Sequence, residues 1–209
     1  FWPRPMISPS LTITAPNGTE NYFVGEDHPI TWTKTGTLGN VKLVYSTDGG
    51  ATYPEPDNVI VSGIAASDLS YTWNVTDAID IDVRVKVILL SDSAVQDASN
   101  ANFAIKGDLD LTSPLGGEPV WEAESVHAIT WTRDGASMGN IKIEYSIDGG
   151  STWIQIPGAD NVASSALSYN WTIPDQNEAD AKVKITLNSD AATTSQTPGL
   201  FTIKPKLTL

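Results

Sequence analysis

The amino-acid sequence predicts an all-β protein built as two tandem β-sandwich domains. Three observations carry this reading. Apolar and polar residues alternate with a period of two along most of the chain, which is the mark of strands with one buried face. No segment sustains the 3.6-residue period of a helix. Above all, the pattern occurs twice. Ile30-Thr31-Trp32-Thr33 returns as Ile129-Thr130-Trp131-Thr132, and Tyr45 to Gly50 returns as Tyr145 to Gly150. Leu69 to Trp73 answers Leu167 to Trp171, and Phe103 to Lys106 answers Phe201 to Lys204. The offset stays at 98 to 100 residues, so one domain is present in two copies.

Residues 1–9 carry Pro3, Pro5 and Pro9. These forbid regular helix and make a poor inner strand, so the segment reads as a linker or extended arm. Trp2 and Met6 on that arm are candidate assembly residues. Repeat 1 spans residues 10–106. Leu11 and Ile13 alternate with Thr12 and Thr14, Ile30 and Trp32 with Thr31 and Thr33. Val41, Leu43 and Tyr45 alternate with Lys42 and Val44, and Val83, Val85 and Val87 with Arg84 and Lys86. Repeat 2 spans residues 107–206 and repeats the scheme through Ile141, Ile143 and Tyr145, then Val183, Ile185 and Leu187. Thr, Val, Ile, Tyr and Trp dominate these runs, as half-buried pleated surfaces favour. Pro16-Asn17-Gly18, Asp48-Gly49-Gly50 and their counterparts punctuate them as turns. About seven short strands per hundred residues, with large aromatics facing inward, predict an immunoglobulin-like or fibronectin-like sandwich. Residues 207–209, Leu-Thr-Leu, repeat the opening of each copy. They read as the first strand of a further repeat or as an inter-subunit strand, with Leu207 and Leu209 as assembly residues.

Composition narrows the function. A net charge of −13 and a pI near 4.3 argue against nucleic acid and anionic membranes as partners. No stretch approaches the roughly eighteen apolar residues of a membrane span. Cysteine is absent, which leans toward a prokaryotic surface protein. Phe1 in place of Met fits a mature or excised segment.

Four motifs bear on chemistry. The Ser-x-Asp-Gly-Gly-x-Thr-aromatic runs at Ser46 to Tyr53 and Ser146 to Trp153 resemble the Asp-box of sialidases. There the aspartate caps a hairpin and the aromatic packs beneath it. A spacing of one hundred residues does not fit propeller blades, so a structural hairpin is expected. His28 and His127 each lie four residues before the repeated Trp, where they enter a strand. The acidic loops Asp77, Asp80, Asp82 and Asp175, Glu178, Asp180 are the candidate calcium ligands, with Asp108 and Asp110 as a second site. Otherwise no metal or cofactor is expected, and no catalytic residues emerge. Asn17, Asn74 and Asn170 head N-glycosylation triplets.

Each copy therefore runs as a turn from Pro16 or Pro114 to a glutamate, then Ile-Thr-Trp-Thr, then Tyr-Ser-x-Asp-Gly-Gly. A Tyr-x-Trp strand, a long Val-rich strand and a closing Phe-x-Ile follow. This order resembles the immunoglobulin-like β-sandwich repeat of large prokaryotic extracellular proteins. That repeat is related to the N-terminal domain of yeast Ser/Thr-rich, GPI-anchored cell-wall glucan-assembly proteins. The resemblance implies an extracellular or cell-surface, non-catalytic structural module of a filament, stalk or array. Its partners would be copies of itself or neighbouring repeats. The alternative is a carbohydrate-binding or adhesion module of a surface protein or secreted hydrolase, with Trp2, Trp121 or Trp153 stacking on glycans.

Overall fold

The computed structural model describes residues 8–117 and 120–207. The chain divides into two compact units, which meet in sequence at Lys106 and Gly107. In the first unit the strands are β1 (Ser10–Ala15), β2 (Asn21–Phe23), β3 (Asp27–Thr35), β4 (Asn40–Ser46) and β5 (Val59–Ala65). A 3-10 turn (Ala66–Asp68) leads into β6 (Ser70–Asn74), β7 (Asp80–Leu89), β8 (Gln96–Ala98) and β9 (Phe103–Lys106). One sheet has the order β1-β3-β6; the other has β2-β9-β7-β4-β5, with β8 also on β7. All pairs are antiparallel except β2 with β9, which is parallel.

The second unit repeats this plan. It comprises β10 (Asp108–Ser113), β11 (Trp121–Glu122), β12 (Val126–Asp134), β13 (Asn140–Ser146), β14 (Ile154–Gln155) and β15 (Val162–Ala163). The 3-10 turn Ser164–Ala166, β16 (Ser168–Thr172), β17 (Glu178–Leu187), β18 (Thr194–Gln196) and β19 (Phe201–Lys204) complete it. The order β10-β12-β16 faces β11-β19-β17-β13-β14. Strand order, the sheet-switching first strand and the parallel closing pair make each unit an immunoglobulin-like β-sandwich. The strand segments outnumber the seven expected because the first and last strands of each repeat are interrupted, and in the second unit the edge strand is also split into β14 and β15.

Alternation fixes which side chains meet inside. Leu11, Ile13, Ile30, Trp32, Val41, Leu43, Trp73, Val83, Val85, Phe103 and Ile105 form one core in the first unit, all nearly solvent-free. Burying each such aliphatic side chain contributes about 1.5–3 kcal/mol. Trp32 anchors this core by a polar bond, because its Nε1–H donates to the Ala66 carbonyl at 3.0 Å. Trp131 does the same toward the Ser164 carbonyl at 2.8 Å.

The crossover from one sheet to the other needs glycine. Gly18 has φ +130°, and a Cβ there would lie 2.6 Å from the Ala101 Cβ. Gly116, at φ +90°, would meet the Gly199 backbone at 2.4 Å. Beside this crossover a side chain closes the seam between the sheets. The Ile13 N–H donates to Asp97 Oδ2 at 2.8 Å, and the Leu111 N–H donates to Ser195 Oγ at 3.0 Å.

Candidate functional site

The hairpin after β4 and β13 is the element that both sequence and structure single out. It turns at Gly49-Gly50 and Gly149-Gly150, all with φ between +69° and +95°, a region that only glycine enters cheaply. Asp48 holds the turn. Its Oδ1 accepts the Ser46 hydroxyl and the Thr52 N–H, and its Oδ2 accepts the Thr52 hydroxyl at 2.6 Å. Asp148 repeats each bond with Ser146 and Thr152 at 2.6–2.8 Å. These donors hold both carboxyls far below the usual carboxylate range. Ser46 and Thr52 pull Asp48 down most, whereas Asp148 falls to about 2, chiefly through Thr152 and then Ser146. With three donors on about four acceptor positions, each carboxylate is committed to the turn as a fastener. The expected structural hairpin is what the geometry contains.

The aromatic of each hairpin lies beside a basic row on the neighbouring strand. Lys86 Nζ stands 3.8 Å over the Tyr53 ring, and Lys184 Nζ stands 4.2 Å over Trp153. Burial lowers the Lys86 pKa and raises that of Tyr53, with Arg84 opposing the latter and Asp48 adding to it. The two units then diverge. Val44, on the outward side of β4, is fully buried. Its counterpart Glu144 lies 3.2 Å from Lys142 and 3.1 Å from Lys184. Burial pushes the Glu144 carboxyl up, but bonds from the two lysines outweigh it and bring it down. Half-buried Trp153 thus has a lysine over its ring, which covers one face of the sugar platform that the alternative reading would need.

Trp121 packs on its own domain. It is 5% exposed, and it stacks on His127 with centroids 4.3 Å apart at 5°. Tyr22 and His28 make the same stack at 3.8 Å and 5°. Each histidine is a cover over the aromatic of the short parallel strand, tied down by Glu26 or Ser125 at 3.0 Å. The signal was in the sequence, since an aromatic stands six residues before each histidine.

The acidic loops are arranged differently from a metal site. Asp80 Oδ1 accepts the Asp82 N–H at 2.8 Å, and Asp82 Oδ1 accepts the Asn102 amide at 2.7 Å. The Asp82 and Asp180 carbonyls accept the N–H groups of Gly49 and Gly149. Asp77 and Asp175 are exposed in loops, and Glu178 opens β17. Among the described residues no three His, Cys, Asp or Glu side chains converge as they would on a metal ion. Asp108 sits directly across from Asp134, with Asp110 next to it opposite Thr132.

The three glycosylation triplets differ in environment. Asn74 is exposed, but its amide donates to the Gly25 carbonyl at 2.8 Å and to Asp27 at 3.0 Å. Asn17 is half-buried and fixed in the crossover turn. Asn170 is exposed on the outward side of β16. Of the assembly residues, Leu207 follows β19 outside any strand and is 91% exposed. Trp2, Met6 and Leu209 lie outside the described residues.

No protein-family model and no curated protein matches the chain. Among solved structures it is similar to the fibronectin(III)-like modules of Clostridium thermocellum CbhA, at 18% identity over 93% of this chain and 94% of that one, TM-score 0.31. It is likewise similar to the Ig tandem domains of titin, at 11% identity over 96% and 99%, TM-score 0.35. A third similarity is to the N-terminal four Ig domains of Dscam1, at 10% identity over 97% and 47%, TM-score 0.41. The fold assignment rests on the strand order described above.

Proposed function

We propose that this chain is a non-catalytic structural segment of an extracellular filament, stalk or cell-surface array. One observation carries the reading. Polar side chains that recur at matching positions of the two copies are spent on fastening their own sandwich. Asp48 and Asp148 close hairpins, His28 and His127 cover aromatics, and Asp97 and Ser195 seal the seam between sheets. Duplicating such a unit adds length and valency, where an enzyme would need one differentiated site. The acidic surface keeps copies soluble and self-repelling except where they are meant to join.

Immunogold labelling of the native cells with an antibody to this chain, followed by negative-stain microscopy, tests the reading. Label along rods or beaded filaments at the surface is expected. Label confined to the cell interior would overturn it.

A further inference from the structure

Asn17 is the one asparagine in this chain that precedes a glycine. The fold surrounds that peptide bond with the groups an intramolecular acyl transfer needs. Glu20 closes the crossover turn, its Oε1 accepting the Asn17 N–H at 2.8 Å and its Oε2 accepting the Gly18 N–H at 2.7 Å. From the other side the Asn100 N–H donates to Asn17 Oδ1 at 2.7 Å. A carboxylate therefore holds the hydrogen of the nucleophilic nitrogen, and a backbone donor polarises the carbonyl that nitrogen would attack. The surrounding frame is fixed. Ser99 Oγ donates to the Pro16 carbonyl at 2.9 Å, and the Thr19 N–H donates to the Asn102 carbonyl at 3.1 Å. The glycine itself cannot be exchanged for a shielding side chain, because Ala101 fills the space a Cβ would need.

We propose that Asn17–Gly18 is a self-modifying site that passes through a cyclic succinimide to aspartate and isoaspartate, with Glu20 acting as the base. Glu20 takes the Gly18 amide hydrogen as that nitrogen bonds to Cγ of Asn17. The charge that develops on Oδ1 is met by the Asn100 N–H. The Cγ–Nδ2 bond then breaks, and the nitrogen departs as ammonia with the proton that Glu20 returns. Water adds to either ring carbonyl and opens the ring, leaving aspartate or a backbone rerouted through the side chain. Water is the only co-reactant, and nothing is oxidised or reduced. The second unit has Leu115 before Gly116 at the same turn, so the change is confined to one copy. Its product places a new carboxylate beside Glu20 and, as isoaspartate, one extra backbone carbon ahead of β2.

Incubating the full folded chain in mildly alkaline buffer, with peptide mass spectrometry and isoaspartate-specific methylation, tests this. The wild-type chain should modify Asn17 faster when folded than when unfolded in urea. Glu20→Gln, which keeps one acceptor oxygen in the turn, should slow the folded-state reaction by about tenfold or more, a modest part of what a positioned base contributes. Its rate in urea should match the wild type. A folded wild-type chain that reacts no faster than the unfolded one would overturn the proposal, and so would a folded Glu20→Gln chain that reacts at the wild-type rate. Should Glu20→Gln disturb the fold, the wild-type comparison decides alone.

Discussion

Trp131→Phe isolates what the buried indole bond is worth. Trp131 is 2% exposed, and the Ser164 residue that accepts from it is 1% exposed. Removing the donor strips the indole bond from a carbonyl buried at the start of the 3-10 turn, at a cost of about 1–3 kcal/mol. Losing the second ring removes roughly two methylene-sized groups of burial, about 1–2 kcal/mol more. The sum, about 2–5 kcal/mol, is a large part of the ~5–15 kcal/mol that stabilises a typical domain. Trp171→Phe is the matched control. Trp171 is 3% exposed and packs on Tyr145 and Trp121, but its indole nitrogen makes no hydrogen bond among the described residues. Its truncation should cost only the ring contribution. Native-state hydrogen exchange at the β12 amides reads the opening free energy of the second unit separately from the first. If Trp131→Phe lowers that free energy no more than Trp171→Phe does, the polar anchor contributes nothing and the reasoning fails.

Acid should loosen the hairpins. The folded Asp148 pKa of about 2 lies below the ordinary 3.8, so the stability it lends is complete above the ordinary value and is lost as pH falls through the folded one. Asp48, also lowered, acts in the same direction. Thermal melts of Asp48→Asn and Asp148→Asn should therefore lose part of the wild-type drop in melting temperature between about pH 4 and pH 2; a wild-type acid slope retained in full would contradict this. Gly116→Ala should destabilise far more than Gly117→Ala. The first drives a Cβ into the Gly199 backbone, while the second meets open space at φ +64° and bears only a left-handed penalty of about 1–2 kcal/mol. Equal urea midpoints for the two variants would refute the close approach. Glu144→Val, which installs the residue of the first copy, should change stability by less than about 1 kcal/mol, because its lysine partners are partly solvated. A loss several times larger in a urea melt would show the ion cluster to be structural.

The fold was legible because period-two alternation and the internal repeat reinforce each other. Val83, Val85 and Val87 could face only one way, and Trp32 and Trp131 had to face with Ile30 and Ile129. Side-chain roles were less legible. Trp121 lies in a two-residue strand that leaves no alternation to follow, and its stack on His127 shows it as core. The acidic loops read as one constellation because they are near in sequence. Hydrogen bonds to Asn102 and to the glycine turn draw them apart, and those partners come from distant segments. The outer edges also diverge beyond what the shared hairpin motif suggests. The first unit has seven residues in β5, whereas Ile156 and Ala159 turn inward and break the second edge into β14 and β15.

The parallel pairing of β2 with β9 has a mechanical consequence. Because β2 continues the direction of β1, and β9 runs alongside it, the start of β1 and the end of β9 lie at opposite ends of the unit. A pull applied through the chain at those ends acts along the two strands. It loads the bonds joining Asn21, Tyr22 and Phe23 to Ala104, Ile105 and Lys106 in shear, so they must give way together and cannot be peeled one at a time. The second unit has its own such clasp between β11 and β19. Tension along the chain therefore meets each sandwich at a joint that is loaded lengthwise.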